Sequence, residues 1–142
     1  MKLHRIVAAA TLAIAISAPA FALSDKDAET FLLTPALLQK MKKAEPDMKA
    51  LNISDESEDD ESTVNDIVKT IEKNPKAKAV LAKHGLSVNE VALGTVAMVH
   101  AGMYVALESS MDKKGAAQLM ASYTPQQRAN IALMRTAAKT WK

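Results

Sequence analysis

The sequence predicts an all-α protein: an irregular bundle of about five to six helices around one buried central helix, behind a cleaved signal peptide. Three observations carry this. Apolar residues recur at spacings of three and four through successive segments, and no stretch alternates as a strand would. Small hydroxyl residues followed by Pro, or by an acid or amide three residues on, mark helix starts at Ser24, Thr34, Thr63, Ser87 and Thr124. Finally, Val91 to Leu107 reads VALGTVAMVHAGMYVAL, with no charged side chain and only Thr95, His100 and Tyr104 polar. A surface helix would show a polar face, so this one is expected to lie inside its neighbours.

The first element is a targeting signal. Met1 to Arg5 is basic, Ile6 to Ser17 is apolar, and Ala18-Pro19-Ala20 and Ala20-Phe21-Ala22 both read as small-x-small cleavage sites. That order is a secretory signal peptide, residues 1–22, with cleavage expected after Ala22 and a periplasmic destination. Residues 23–142 form a single helical domain. Removing Lys2 and Arg5 from the 18 bases leaves 16 against 16 acids. A mature charge near zero argues against nucleic acid as a partner. The charge is polarised, however: Leu23 to Ser62 holds 11 acids and 5 bases, while Lys113 to Lys142 holds 6 bases and no acid. With no cysteine there is neither a disulfide staple nor a thiolate metal site, so apolar burial must hold the fold.

Ser24 and Asp27 open a short helix through Ala28, Phe31 and Leu32. Thr34-Pro35 starts the next, with Leu33 placed to staple onto Leu38. Its stripe is Leu37, Met41, Ala44, Met48 and Leu51, and Pro46 is expected to kink or break it. Residues 54–62, SDESEDDES, form an acidic linker that can bury nothing. Thr63 with Asp66 caps a helix bearing Val64, Ile67, Val68 and Ile71. It ends near Asn74, where Pro75 starts another short helix carrying Ala77, Val80 and Leu81.

A chemically specified corner follows. Gly85 suits the left-handed position after His84, and Leu86 can touch Leu81. Ser87 with Glu90 then caps the central helix, while Leu86 staples onto Val91. The central helix should run from Val88 to about Ser110. Gly94, Ala97 and Ala101 offer a face for close helix approach, and Val96, His100, Met103 and Leu107 form a second face. After a hinge at 112–115, a helix carries Leu119, Met120 and Tyr123. Thr124-Pro125 with Gln127 caps the last helix, whose stripe is Ile131, Met134, Ala138 and Trp141.

Few residues carry chemistry. His100, Tyr104 and Glu108 lie one helical turn apart in a column. His100 is expected to be a core or bundle-edge histidine hydrogen-bonded to a neighbour. As an alternative, His100 and Met103, three residues along, could serve a cofactor such as haem, or copper. The mature chain holds seven methionines: Met41, Met48, Met98, Met103, Met111, Met120 and Met134. Thioethers ligate soft metals, and they equally fill cores and adaptable apolar surfaces. Met98, Met103, Tyr104, Met120 and Met134 are the candidate binding surface. His84, beside Gly85, reads as a cation at a helix C-terminus. No HExxH, G-x-S-x-G, phosphate loop or dinucleotide fingerprint occurs, so an enzyme is not expected and no catalytic residue is assigned.

Tyr123-Thr124-Pro125-Gln126-Gln127-Arg128 resembles the LTxxQ motif of small periplasmic helical chaperones and stress sensors, which are also free of cysteine. Tyr123 stands where that motif has leucine. Leu33-Thr34-Pro35 begins a second copy but has Leu37 where glutamine belongs. A capped helix start with Pro at the first position accounts for the same letters. The corner and central helix also resemble exported bacterial α-helical proteins of unassigned function. This second resemblance implies fold and compartment only; the LTxxQ resemblance implies a chaperone-like role. The sequence therefore points to an exported non-enzymatic protein whose Met-rich surface binds a protein chain or small apolar ligand. The alternatives are a haem- or copper-binding periplasmic protein and a single-span membrane protein. Seventeen uncharged residues are short for a span, and a central histidine disfavours insertion.

Overall fold

The computed structural model describes residues 23–53 and 63–140. The signal peptide, the acidic linker and Trp141 lie outside the described residues. Within them the chain is all-α, with seven helices: α1 (Asp25–Glu29), α2 (Pro35–Lys49), α3 (Val64–Glu72), α4 (Pro75–Lys83), α5 (Val88–Leu107), α6 (Lys113–Ser122) and α7 (Pro125–Thr140). A 3₁₀ turn, Glu108–Ser110, extends α5. The count exceeds the expected five to six because every capped start opens a separate helix, however short.

The caps form as their residue types dictate. Thr63 accepts from Asp66 N–H, and Ser87 from Glu90 N–H at 3.1 Å, while Asp66 and Glu90 reach back to the cap backbones. Thr34 accepts from Leu37 N–H and Asn74 from Ala77 N–H. At the corner, Gly85 has φ 65°, Gly85 N–H donates to Ala82 O at 3.0 Å and Leu86 N–H donates to Leu81 O at 2.9 Å. This is the complete pair of bonds that closes a helix on a left-handed residue. Leu81 and Leu86 are both buried in the same cluster.

The core has three clusters. Leu33, Leu37, Leu38, Ala44, Ile71, Leu81, Leu86 and Ala97 join α2, α3, α4 and one side of α5. Ala28, Val64, Ala92 and Val96 join α1, α3 and the start of α5. Ala101, Tyr104 and Ile131 join the end of α5 to α7. Polar ties lock the arrangement. Asp25 accepts from Val64 N–H at 2.8 Å, joining α1 to α3. Lys83 Nζ and His84 Nε2 each lie 2.9 Å from Asp47 Oδ2, joining α4 to α2. His84 thus sits at the end of α4, its ring tied to Asp47.

Several expectations need correction. α1 stops at Glu29, and Phe31 and Leu32 belong to the connector. α2 continues through Pro46 to Lys49 as one helix, so of the expected kink or break the break does not occur. Residues 112–115 are no hinge: Asp112 caps α6 by accepting from Gly115 N–H at 2.8 Å, and Tyr123 terminates that helix. The buried stripe of α7 is Asn130, Ile131 and Ala137, while Ala138 is exposed. The largest correction concerns α5. Ala92, Gly94, Val96, Ala97, Ala101 and Tyr104 are buried. On the opposite side Val99, Met103 and Leu107 are 50%, 57% and 54% exposed. The helix is buried along one side rather than enclosed. α1 and α3 cover its first half, and only α7, with α6 standing off, flanks its second.

Candidate functional site

The second half of α5 forms a cavity with α6 and α7, and hydrogen bonds fix how the three run. Thr124 Oγ donates to Glu29 O at 2.7 Å, placing the α6–α7 corner beside the end of α1. At the far end, Arg135 on α7 pairs with Glu108 at the end of α5, its Nε 3.0 Å from Oε2. α7 therefore runs alongside α5 in the same direction, and α6 returns between their ends. The Glu108 hydrogen bond raises the Arg135 guanidinium above its usual value, and the guanidinium carbon lies 5.8 Å from the Tyr104 ring centre.

α6 is held mainly at its ends. Tyr104 Oη donates to Ala116 O at 3.3 Å, and the Tyr104 and Tyr123 rings meet edge to face at 5.8 Å. No residue of α6 is buried. A helix that buries none of its residues yet stays beside a bundle leaves room beneath it. The room is a half-open cavity of about 330 Å³. Its floor is Ala97, Ala101, Tyr104 and Ile131, and its outer wall is Met103, Leu107, Met111 and Leu119. His100, Tyr123, Gln127 and Asn130 are the polar residues of the lining, and Ala28 completes it.

Asn130 is the fixed polar point. It is 1% exposed; its Oδ1 accepts from Leu33 N–H at 2.8 Å and its Nδ2 donates to Phe31 O at 2.8 Å. Both ends of the amide are used to hold the α1–α2 connector against α7. Gln127 is used at one end only: its Oε1 accepts from Thr124 N–H at 2.9 Å, while Thr124 Oγ accepts from Gln127 N–H. The Thr124–Gln127 letters thus make a capping box, the physical role that the sequence allowed them.

Three of the predicted residues, His100, Met103 and Tyr104, line this cavity. Met98 instead lines a separate groove with Leu38, Met41, Lys42 and Glu45. Met120 and Met134 pack half-buried beside the Ala101–Tyr104–Ile131 cluster. The His100–Tyr104–Glu108 column does not act as a unit. Tyr104 bonds Ala116, Glu108 pairs with Arg135, and His100 is exposed at the bundle edge. Sequence reasoning left Leu107, Met111, Leu119, Tyr123 and Gln127 out of the binding set. The spacing of Leu107 after Met103 was a usable signal. Residues on α6 gave none, because only tertiary placement brings them to α5.

Among the described residues no cluster of three or more His, Asp or Glu could hold a metal ion. Among the described residues one helix, Val88–Ser110, is long and apolar enough by length and composition to cross a bilayer. This chain matches no known protein family, no curated protein and no solved structure.

Proposed function

We propose that the protein is an exported, non-enzymatic helical domain that binds an apolar ligand or partner segment, in an envelope-maintenance or chaperone-like role. One observation carries this reading: the cavity walled by Met103, Leu107, Met111 and Leu119 under a helix with no buried residue. An apolar wall left open to water costs about 25 cal/mol for each Å² that a ligand would cover, so the site favours an apolar occupant. Flexible thioethers adapt such a wall to more than one shape. The lining groups include no nucleophile paired with a base, which favours binding over catalysis. A bilayer-spanning Val88–Ser110 would have to shed α1, α3 and α7 and expose Ala28, Val64 and Ile131, which disfavours that alternative.

Titration with N-phenyl-1-naphthylamine tests the reading. Saturable one-to-one binding is expected, weakened at least fivefold in Met103→Ser/Leu107→Ser. Fluorescence that never saturates, or that ignores the double substitution, contradicts it.

One observation favours a second reading. His100, Met103 and Met111 line the same cavity, and one imidazole with two thioethers suits cuprous copper. Competition with a cuprous chelator would give one bound copper that is lost in His100→Ala. A preparation that takes up no copper and shows no haem absorption retires both cofactor alternatives.

A further inference from the structure

The cavity has two unlike ends. The lower end, beside α1 and the α6–α7 corner, holds His100, Tyr123 and Gln127; the upper holds Met103, Leu107 and Met111. Resting on the binding role above, we propose that it takes a single-chain amphiphile with a carboxylate head, the head at the lower end and the tail along the methionine wall.

Size argues for one chain. The cavity is half-open and about 330 Å³, so a two-turn partner helix, about 10 Å wide and about 11 Å long, would fill it and stand partly outside it. A narrow alkyl chain fits, and the volume sits at the low end of small-molecule sites.

The polar groups argue for the head. Thr124 N–H occupies Gln127 Oε1, so the free end of that amide is its NH₂, a donor. The Tyr123 hydroxyl and the His100 imidazole can each donate as well. Asn130 gives one Nδ2 N–H to Phe31 O and keeps a second, which is also a donor. A carboxylate only accepts, so all of these groups can donate to it; an ammonium only donates, and would find the Tyr123 oxygen and one nitrogen of a neutral imidazole but face the Gln127 NH₂. Charge agrees. Every charged residue from Lys113 to Lys139 is a base, and Arg128 donates to the carbonyl of Tyr123 at 2.7 Å, beside that end. Glu108 is already paired with Arg135. α1 brings opposing charge near that end: Asp25 and Asp27 stay negative while accepting from Val64 N–H and Ser24, and Glu29 is exposed to solvent, where water screens it.

The test displaces the naphthylamine dye with dodecanoate, dodecanol and dodecylamine. Dodecanoate is expected to bind at least tenfold tighter than dodecylamine, with dodecanol between them. Gln127→Glu keeps the oxygen that caps α7 but replaces the NH₂ by a second carboxylate oxygen. It should weaken dodecanoate at least tenfold and leave dodecanol within threefold. Tyr123→Phe keeps the ring against Tyr104 and removes only the hydroxyl; about threefold weaker dodecanoate binding is expected, and this variant decides the matter if Gln127→Glu melts early. Equal affinity for the three chains, or a dodecanoate preference that survives both substitutions, overturns the head-group assignment while leaving apolar binding intact. Failure of both dye and dodecanoate to bind overturns the binding role itself.

Discussion

The two halves of α5 are built from nearly the same residue types and meet different fates. From Ala92 to Ala97 the helix touches α1, α2 and α3, and its small residues admit Val64 and the side chains of Leu37 and Met41. From Val99 to Leu107 a single face is covered by α7, and the apolar residues opposite stand in water. Hydropathy is the same in kind along the helix, so hydropathy alone does not say which half is core. The difference lies in what the rest of the chain can reach. Three capped helices converge on the first half, while α6, the one other helix near the second, has no fully buried residue.

Substitutions should separate the halves. The largest effect is expected where the open half is tied to the rest. Asn130→Leu would strand the buried Leu33 N–H, at about 2 kcal/mol, and the part-buried Phe31 O, at about 1 kcal/mol. Thermal unfolding should therefore show a loss of about 3 kcal/mol; a loss below about 1 kcal/mol would mean that the connector is not held there.

Next comes a matched pair of alanines. Ala92 is fully buried against Val64 and Ala28, so Ala92→Leu should cost about 2–3 kcal/mol through overpacking. Ala106 is exposed, and Ala106→Leu should stay within about 0.5 kcal/mol. Equal costs would erase the distinction between the halves.

The glycines sharpen it further. A Cβ at Gly102 meets nothing within 4 Å, so Gly102→Ala should stabilise by about 0.5–1 kcal/mol through helix propensity. A Cβ at Gly94 would lie 3.3 Å from the Met41 sulfur. The same substitution there should gain little, because the thioether must shift. Denaturant melts of the two variants give the comparison directly.

Much of the enclosed half was legible. The capping boxes at Ser87–Glu90 and Thr63–Asp66 and the Leu81–Gly85–Leu86 corner are local chemistry, closed within a few residues. The cavity was legible only on its α5 side. His100, Met103 and Tyr104 share a helix, whereas Leu119 and Tyr123 join them through a return of the chain that no spacing encodes. Asn130 was missed for the same reason: its partners, Phe31 and Leu33, lie almost the whole mature chain away. The expectation of a fully buried α5 failed because an apolar run reports only that a surface avoids water, not that its own chain covers it.

Acid gives the smallest and most distributed effect. The Ser24 backbone N–H lowers Asp27, the Thr63 hydroxyl lowers Asp66, the Ser87 backbone N–H lowers Glu90, and Lys83, then His84, lower Asp47. A carboxylate depressed on folding adds stability above its unfolded value and loses it as pH falls through the folded one. Stability should thus hold above the ordinary carboxylate value of about 4 and decline below it. All four groups belong to α1, α2, α3 and the start of α5, whereas the cap of α7 is the neutral Thr124–Gln127 pair. Amide exchange at falling pH should therefore loosen α1, α3 and the α2–α4 contact before the Thr124–Gln127 start of α7; that start loosening first would contradict this.

The most direct test is to map backbone amide shifts while dodecanoate is added. The account predicts saturating changes confined to His100–Leu107, Met111 and Leu119–Gln127, with the Leu38–Met41–Met98 groove unmoved. Changes centred on that groove, or scattered without saturation, would show that the cavity beneath α6 is not where an apolar chain binds.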